Sequence, residues 1–340
     1  MSILWPTTQP RLDWVQISVT THCNAGCTYC PRTVFRSSWQ GRHIAPELFA
    51  QILSKLHSVS LIHLQGWGEP ILHPHFWDLL RMTKKAGFLA SCTSNGQLLD
   101  SDALKKAVDS GLDVLALSLA GMDETNDRIR RGTSFRQVVR TIEELQRIKA
   151  LRRSPVPQLH LASMLLRSNL QELPRLPDFF QNLGVDHVVL SSLTLPLSSA
   201  WEQEALVADS EQEYEAFRAE IRRVFAGHQQ QDRVFGHIHN PFRSPGRCSE
   251  NVDKAFCLSP EGRVTPCVFT QIPAGPPASF WFQGRKYAPA PADFGRLTDM
   301  KLKKLWHQPA YRRFRRRLDL DMCSRCLMTR MEDPLHLENA

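Results

Sequence analysis

No stretch of this 340-residue chain approaches the ~20 consecutive apolar residues needed to cross a bilayer. The start, Met1-Ser-Ile-Leu-Trp-Pro6, lacks a basic segment followed by an apolar run, so no secretory signal is expected. Internal repeats are missing as well. With neither anchor nor export signal, a cytoplasmic location is expected. In that reducing compartment the nine cysteines point away from disulfides and toward metal or redox chemistry. A hydrophobic content of 42% is that of an ordinary globular protein. The length suits one large domain plus a smaller one.

The formal charge of +8 is generated mostly late. Tyr311-Arg-Arg-Phe-Arg-Arg-Arg317 could meet an anionic partner, but the helical spacing of Tyr311, Phe314 and Leu318 favours a solvated face with these three turned inward. Nucleic acid is therefore not the expected partner, and neither is a membrane.

Short apolar runs at 14–19, 60–65, 89–94, 114–119, 159–165 and 187–193 read as strands. Helical patterns at 45–56, 73–87, 100–111, 134–151 and 169–184 separate them. Gly87, Gly111 and Gly184 each close a helix just before the next strand. Such alternation predicts parallel βαβ units, an α/β fold. Alternation within the strands chooses between an open sheet and a partial barrel. Val15, Ile17, Val19, Ile62, Leu64, Leu115, Leu117 and Leu119 suit packing against helices. Gln16, Ser18, Thr20, His63, Gln65, Cys92, Ser94, Ala116, Ser118, His160, Ala162 and Met164 fall on the other face. A filled barrel carries bulky branched residues inside. This set is small or polar, so a partial (β/α)6 barrel with a ligand-sized cavity is expected.

After residue 195 the alternation stops. The expected division is 1–200 for the barrel, 201–246 for a linker and 247–340 for a small C-terminal domain. Within these, 201–227 reads as one charged amphipathic helix, followed by a Gln/His-rich connection. Residues 258–264 read as a hairpin and the Pro- and Gly-rich stretch 272–292 as a long loop.

Seven cysteines are clustered: Cys23, Cys27 and Cys30 early, and Cys248, Cys267, Cys323 and Cys326 late. Cys92 and Cys257 sit in apolar stretches and read as small core residues. Cys23-Asn-Ala-Gly-Cys-Thr-Tyr-Cys30 directly follows the first strand. A structural zinc site would want a fourth ligand. No fourth cysteine is near, and His22 is badly placed beside Cys23. Three thiolates suit a four-iron cluster with one iron open to an exogenous ligand.

This CxxxCxxC string, with Tyr29 before its last cysteine, resembles the signature of the radical S-adenosylmethionine (radical SAM) superfamily. The resemblance implies a partial TIM-like barrel and a [4Fe-4S] cluster on Cys23, Cys27 and Cys30. The open iron would be chelated by S-adenosylmethionine. Gln65-Gly-Trp-Gly-Glu-Pro70 looks like the family's GGEP motif with Trp67 in place of a glycine. By the same resemblance Tyr29, Gly68, Glu69, Ser94, Asn95, Ser118 and Arg130 are cofactor contacts, with Arg128 and Arg131 as alternatives to Arg130. These motifs lie at strand C-terminal ends, where such folds place their ligands.

Cys257-Leu-Ser-Pro-Glu-Gly262-Arg-Val-Thr-Pro-Cys267 and Cys323-Ser-Arg-Cys326 resemble the SPASM and twitch extensions of that superfamily. The resemblance implies an auxiliary iron–sulfur cluster, and with no cysteine after Cys326 one is expected. Its ligands would be Cys248, Cys267, Cys323 and Cys326, with Cys257, which reads as mid-strand, as the alternative to Cys248. A structural zinc on the same thiolates is the competing reading.

What the family does is thereby expected here. A flavodoxin or ferredoxin supplies an electron, S-adenosylmethionine is cleaved to a 5′-deoxyadenosyl radical, and substrate loses a hydrogen atom. One auxiliary cluster makes net oxidation the expected outcome. His63 and Gln65 are the candidate acid–base residues, although His63 reads equally well as a satisfied core histidine. Only a dozen residues precede the first strand, which tilts the substrate toward a small molecule or a peptide presented by a separate protein. The alternatives are a peptide maturase forming a thioether or C–C crosslink, and a non-enzymatic zinc or iron–sulfur scaffold.

Overall fold

The computed structural model describes residues 10–228, 233–237, 239–275 and 277–330, with the backbone of 335–336. The N-terminal residues read above for a targeting signal and the glutamines of the 229–232 connection lie outside the described residues. Among the described residues no helix is long and apolar enough to cross a membrane.

Six strands carry the barrel as expected: β1 (Leu12–Ile17), β2 (Val59–Leu64), β3 (Leu89–Ser94), β4 (Val114–Leu119), β5 (Gln158–Leu165) and β6 (His187–Ser192). Each pairs in parallel with its neighbour in chain order. The sheet continues past them at both ends. Strand β7 (Val234–His237) adds in parallel to β6, and β8 (Ala255–Leu258) adds in parallel to β1. Two short antiparallel strands, β9 (Val264–Thr265) and β12 (Leu335–His336), finish the edges. The sheet therefore crosses both of the expected boundaries, at 200 and at 246. Pairing β8 with β1 brings the segment between Cys248 and Cys267 against the strand that leads into the first cysteine loop.

Helices cover the outer face through amphipathic stripes. The helix Phe135–Arg152 buries Phe135, Val138, Ile142, Leu145 and Ile148, and Ser134 caps it by accepting a bond from the Gln137 amide. In the arginine-rich helix Pro309–Arg317, Tyr311 and Phe314 are buried while Arg313, Arg316 and Arg317 stay in solvent. Arg315 lies over the Trp306 ring at 3.8 Å, where a guanidinium is attracted to the aromatic face. The solvated-face reading of the arginine run holds.

Four expectations need correction. On β3, Cys92 pairs in register with Leu115 and Ser94 with Leu117, so both follow the core-facing side, and Ser91 and Thr93 face the lumen. A one-residue slip flips a whole strand, and Leu-Ala-Ser-Cys-Thr-Ser gives little apolar contrast to fix it. Cys92 is a buried core residue all the same. The 169–184 helix is a 3-10 turn, Arg167–Arg175, followed by Leu176–Asn182; Pro174 and Pro177 lack the amides a continuous helix needs. The 201–227 helix is two, Ser199–Glu204 and Glu211–Phe225. Between them Ala205 bridges to Leu166, and Leu206 and Ala208 are buried. Inside the expected 272–292 loop lies a hairpin, β10 (Phe280–Phe282) and β11 (Arg285–Tyr287). Its two turn residues, Gln283 and Gly284, both have positive φ, as a two-residue hairpin turn requires.

Candidate active site and cluster loops

The chain leaves β1 and folds the cysteine loop over the top of the barrel. Two backbone bonds strap that loop to the segment after β4: the Gly26 amide donates to Arg131 O at 2.6 Å and the Thr28 amide to Ile129 O at 2.9 Å. Arg32 also donates to Ala25 O. Cys23 accepts from the Ala25 amide at 3.4 Å and lies 4.0 Å from Asn95 Nδ2, which donates to Asn24 Oδ1 at 2.8 Å. Burial is the largest cause raising the Cys23 thiol, and it pushes the Cys30 thiol up to about 12. A metal takes the thiolate, so binding a cluster here would release these thiol protons. His22 does not complete a four-ligand set. Its ring is stacked on His43 at 4.5 Å, over Gly41, where a Cβ would sit 2.5 Å from the His22 ring.

The Gly66–Glu69 loop crosses directly above the end of β1. A Cβ on Gly68 would lie 2.4 Å from His22 O and 2.6 Å from Thr20 O, so only glycine fits. The Glu69 amide donates to His22 O at 2.8 Å. Its carboxylate is buried and serves three donors of this chain: Ser94 Oγ at 2.7 Å, the Asn95 amide at 2.7 Å and the Ile71 amide at 3.4 Å. Burial raises its pKa against the pull of those bonds. Glu69 thus joins the β2 motif to the β3 motif. Ser118 is half-buried on the inner face of β4 beside Ala162.

Of the three arginines after β4, Arg130 is buried, whereas Arg128 and Arg131 are exposed. Arg130 donates to the Tyr29 hydroxyl at 2.8 Å, and the Tyr29 phenol is pushed up to about 12, chiefly by burial. Arg130→Ala is expected to lower stability by about 1–3 kcal/mol, since it strands that hydroxyl. Tyr29→Phe should cost at least as much, because that hydroxyl is the one hydrogen-bond partner shown for the buried Arg130 guanidinium, whose Nε is already unpaired among the described residues. Thermal midpoints of the two variants check the order.

His63 is held within the lumen: Nδ1 lies 2.7 Å from Ser91 Oγ, and Nε2 contacts Gln65 Oε1, with Thr93 Oγ1 at 3.5 Å. Burial lowers its pKa, so the ring is neutral and satisfied. Gln65 reaches the wall of the cavity above it, and His63 does not.

The second cysteine group converges from three segments. Cys248, Cys267, Cys323 and Cys326 each lie within electrostatic reach of at least two of the others, whereas Cys257 reaches only Cys267 among them. Cys257 is in β8, opposite Gln16. The CxxC turn is fixed by Thr329 Oγ1, which donates to Cys323 O at 2.9 Å and Cys326 O at 2.8 Å. The Ser249 amide, next to Cys248, donates to Met328 O at 3.0 Å. Burial pushes the thiols of Cys248 and Cys323 up, to about 12 and about 11. Among the described residues no three His, Cys, Asp or Glu side chains gather around one ion-sized point. A multi-iron cluster does not ask that of its ligands, because each thiolate binds a different iron.

One chamber is lined by Cys30 and by residues next to the second cysteine group. A cavity of about 430 Å³ is lined by Tyr29 and Cys30 on one side, by Gln16, Gln65 and Trp67 from the strand ends, and by Ser249, Glu250, Val268 and Met328 from the second group. This is the cavity the small inner face implied. Trp67, the departure from the glycine motif, donates to Val268 O at 3.2 Å, one residue past Cys267. Its ring meets Phe269 edge-on. Trp67, Ser192, His239 and Glu250 were not reached from sequence as cavity residues. Three of the four lie outside any motif, and nothing in their spacing marks them.

The model of the radical SAM superfamily matches residues 17–151, and that of the SPASM iron–sulfur cluster-binding domain matches 248–327. The chain is 28% identical over 195 residues to the tungsten-containing aldehyde ferredoxin oxidoreductase cofactor-modifying protein of Pyrococcus furiosus, covering 55% of this chain and 53% of that one. It is 24% identical over 259 residues to the PqqA peptide cyclase of Bradyrhizobium diazoefficiens, covering 74% and 66%. The chain thus spans about half to two thirds of the length of these relatives. Its fold is similar to that of anSMEcpe solved with bound AdoMet, with a TM-score of 0.65 and 17% identity over 88% of this chain and 82% of that one.

Proposed function

Because this chain belongs to the radical SAM superfamily and carries a SPASM iron–sulfur cluster-binding domain, we propose that it removes a hydrogen atom from a peptide and oxidises it with the help of one auxiliary cluster. The observation that carries this reading is the chamber lined by Cys30 of the first group and by Ser249 and Val268, the neighbours of Cys248 and Cys267 in the second. A substrate held there touches the loop of each. The likeness to a PqqA peptide cyclase over 74% of the chain supports the peptide of the two substrate classes expected from sequence.

Cys23, Cys27 and Cys30 would hold the first cluster, and Cys248, Cys267, Cys323 and Cys326 the auxiliary one. When bound, the first cluster and S-adenosylmethionine supply reductive cleavage of the sulfonium and the hydrogen-abstracting power. The chain's own residues do the rest. The strapped loop would keep three thiols aimed at one side of the chamber. Gly66 and Gly68 would let backbone pass close over it, and Glu69 would hold Ser94 and Asn95 in place. Tyr29 with Arg130 would close the side nearest Cys30. Gln16 and Gln65 offer amides to orient substrate, while Trp67, Leu193, Leu195 and Phe269 exclude water. A cytoplasmic location and a flavodoxin or ferredoxin as electron donor complete the reading.

Anaerobic reconstitution tests it. About eight irons per chain are expected, with methionine and 5′-deoxyadenosine formed on adding dithionite and S-adenosylmethionine. Tightly bound zinc with no cleavage would establish the scaffold instead.

A further inference from the structure

Trp67 departs from the glycine motif, and it has open space on two sides. On one side lies the chamber of about 430 Å³. On the other lies a second cavity of about 380 Å³, lined by Gln16 and Ser18 of β1 and by residues of the β8–β9 hairpin. Four residues line both spaces, Gln16, Trp67, Val268 and Ile272, and so form the wall between them. Trp67 brings the largest side chain to that wall and is fixed there. Its Nε1 donates to Val268 O at 3.2 Å, and its ring meets edge-on that of Phe269, which lines the chamber but not the second cavity. The loop that carries it has no room to withdraw. The glycines on either side, Gly66 and Gly68, lie against Ser18 and against the carbonyls of Thr20 and His22.

The two spaces differ in chemistry. Among the described residues no lysine or arginine lines the chamber, and Glu250 is its one acidic lining residue. The second cavity is charged. Arg42 pairs there with Glu261 at 2.9 Å and Arg263 with Asp293 at 3.2 Å, both pairs open to solvent, and Arg296 adds a third cation. A wall between a wet, charged cavity and a more apolar one keeps water from the drier side. It also ends the drier side. A pocket that stops at a fixed ring discriminates by size, because a larger group meets the ring where a smaller one meets space.

We propose that Trp67 is a specificity-determining residue: its ring closes the chamber against the charged cavity and so caps the size of the substrate side chain that the chamber admits. This rests on the reading of the chamber as the reaction site and narrows the peptide to one whose reacting side chain fits short of the ring. A glycine at position 67, as in the motif, would take the ring out of the wall.

The test uses the reconstituted holoenzyme and two neutral probes, N-acetylalanine methylamide as the small one and N-acetylnaphthylalanine methylamide as the bulky one, with binding read by calorimetry. Trp67→Ala should bind the bulky probe about tenfold or more tighter than the unaltered protein does, while affinity for the small probe changes by less than about threefold. Trp67→Phe should still reject the bulky probe, because a ring remains although the bond to Val268 is lost. Ile272→Ala thins the same wall without touching the β2 loop. It should shift binding in the same direction as Trp67→Ala, and it carries the test where Trp67→Ala fails to fold. Bulky-probe binding that is equal in all four proteins, or absent from all of them, overturns the proposal. A Trp67→Phe protein as permissive as Trp67→Ala also overturns it, since the seal would then lie in the hydrogen bond and not in the ring. Formation of 5′-deoxyadenosine by the unaltered protein is measured alongside. Its absence removes the parent reading, whereas its presence with no gain in bulky-probe binding removes only the role of Trp67.

Discussion

Cys27→Ala is expected to abolish 5′-deoxyadenosine formation entirely and to reduce bound iron from about eight to about four per chain. The reason lies in how little of the loop's shape depends on that thiol. The Gly26 and Thr28 amides on either side of Cys27 are tied to Arg131 O and Ile129 O. The loop therefore stays folded in the variant, and what is lost is one of three thiolates. Two cannot hold a cluster that already keeps one iron open. Cys326→Ala should give the converse: the auxiliary iron is lost, and S-adenosylmethionine is still cleaved. The Thr329 hydroxyl holds the backbone carbonyls of Cys323 and Cys326 rather than their thiols, so the turn survives there as well. Iron analysis and product quantification on the two proteins check both halves. Turnover retained by Cys27→Ala would remove the radical chemistry from this chain. Cleavage lost in both variants would show that the two loops assemble as one unit.

The barrel was legible because its strands and helices repeat at periods of two and 3.6, which the apolar residues of β1, β4 and β5 display plainly. Strand β3 was misread on the one point where the signal is weak: small residues populate both of its faces. The early cysteine loop was legible for a different reason. A cluster loop keeps its ligands within eight residues, so its spacing and its place after β1 together suggest the chemistry. The chamber wall was not legible, because Ser192, His239 and Glu250 come from separate segments that meet only after β7 and β8 join the sheet. Trp67 was visible as a departure from the glycine motif. Its bond to Val268, which links the β2 loop to the second cysteine group, depends on a contact across 201 residues.

Gly68→Ala is expected to be the most damaging single-methyl change in the chain. Its added carbon would sit 2.4 Å from His22 O and 2.6 Å from Thr20 O, and both obstacles are backbone. Neither can rotate away as a side chain can, so either the Gly66–Glu69 loop lifts or the end of β1 moves. Lifting the loop breaks the Glu69 amide bond to His22 O and draws the Glu69 carboxylate off Ser94 and Asn95. Moving β1 displaces His22, the residue before Cys23. Overpacking of this kind costs about 1–3 kcal/mol or more. For a chain of this size that corresponds to a thermal midpoint lower by about 1–4 °C. Iron at the first site should fall with it, because both escapes disturb the same loop. Gly66→Ala should also be damaging, though less so: the Ser18 hydroxyl can turn away, but Ser18 Cβ at 2.7 Å and Cα at 3.0 Å cannot. Gly246→Ala, with its nearest atom at 3.9 Å, should be close to silent. Thermal midpoints and iron content across the three variants test the ranking. A Gly68→Ala protein that keeps its midpoint and its first-site iron would mean that the loop does not press on the cysteine segment as described, and that Glu69 holds its partners by some route other than the His22 contact.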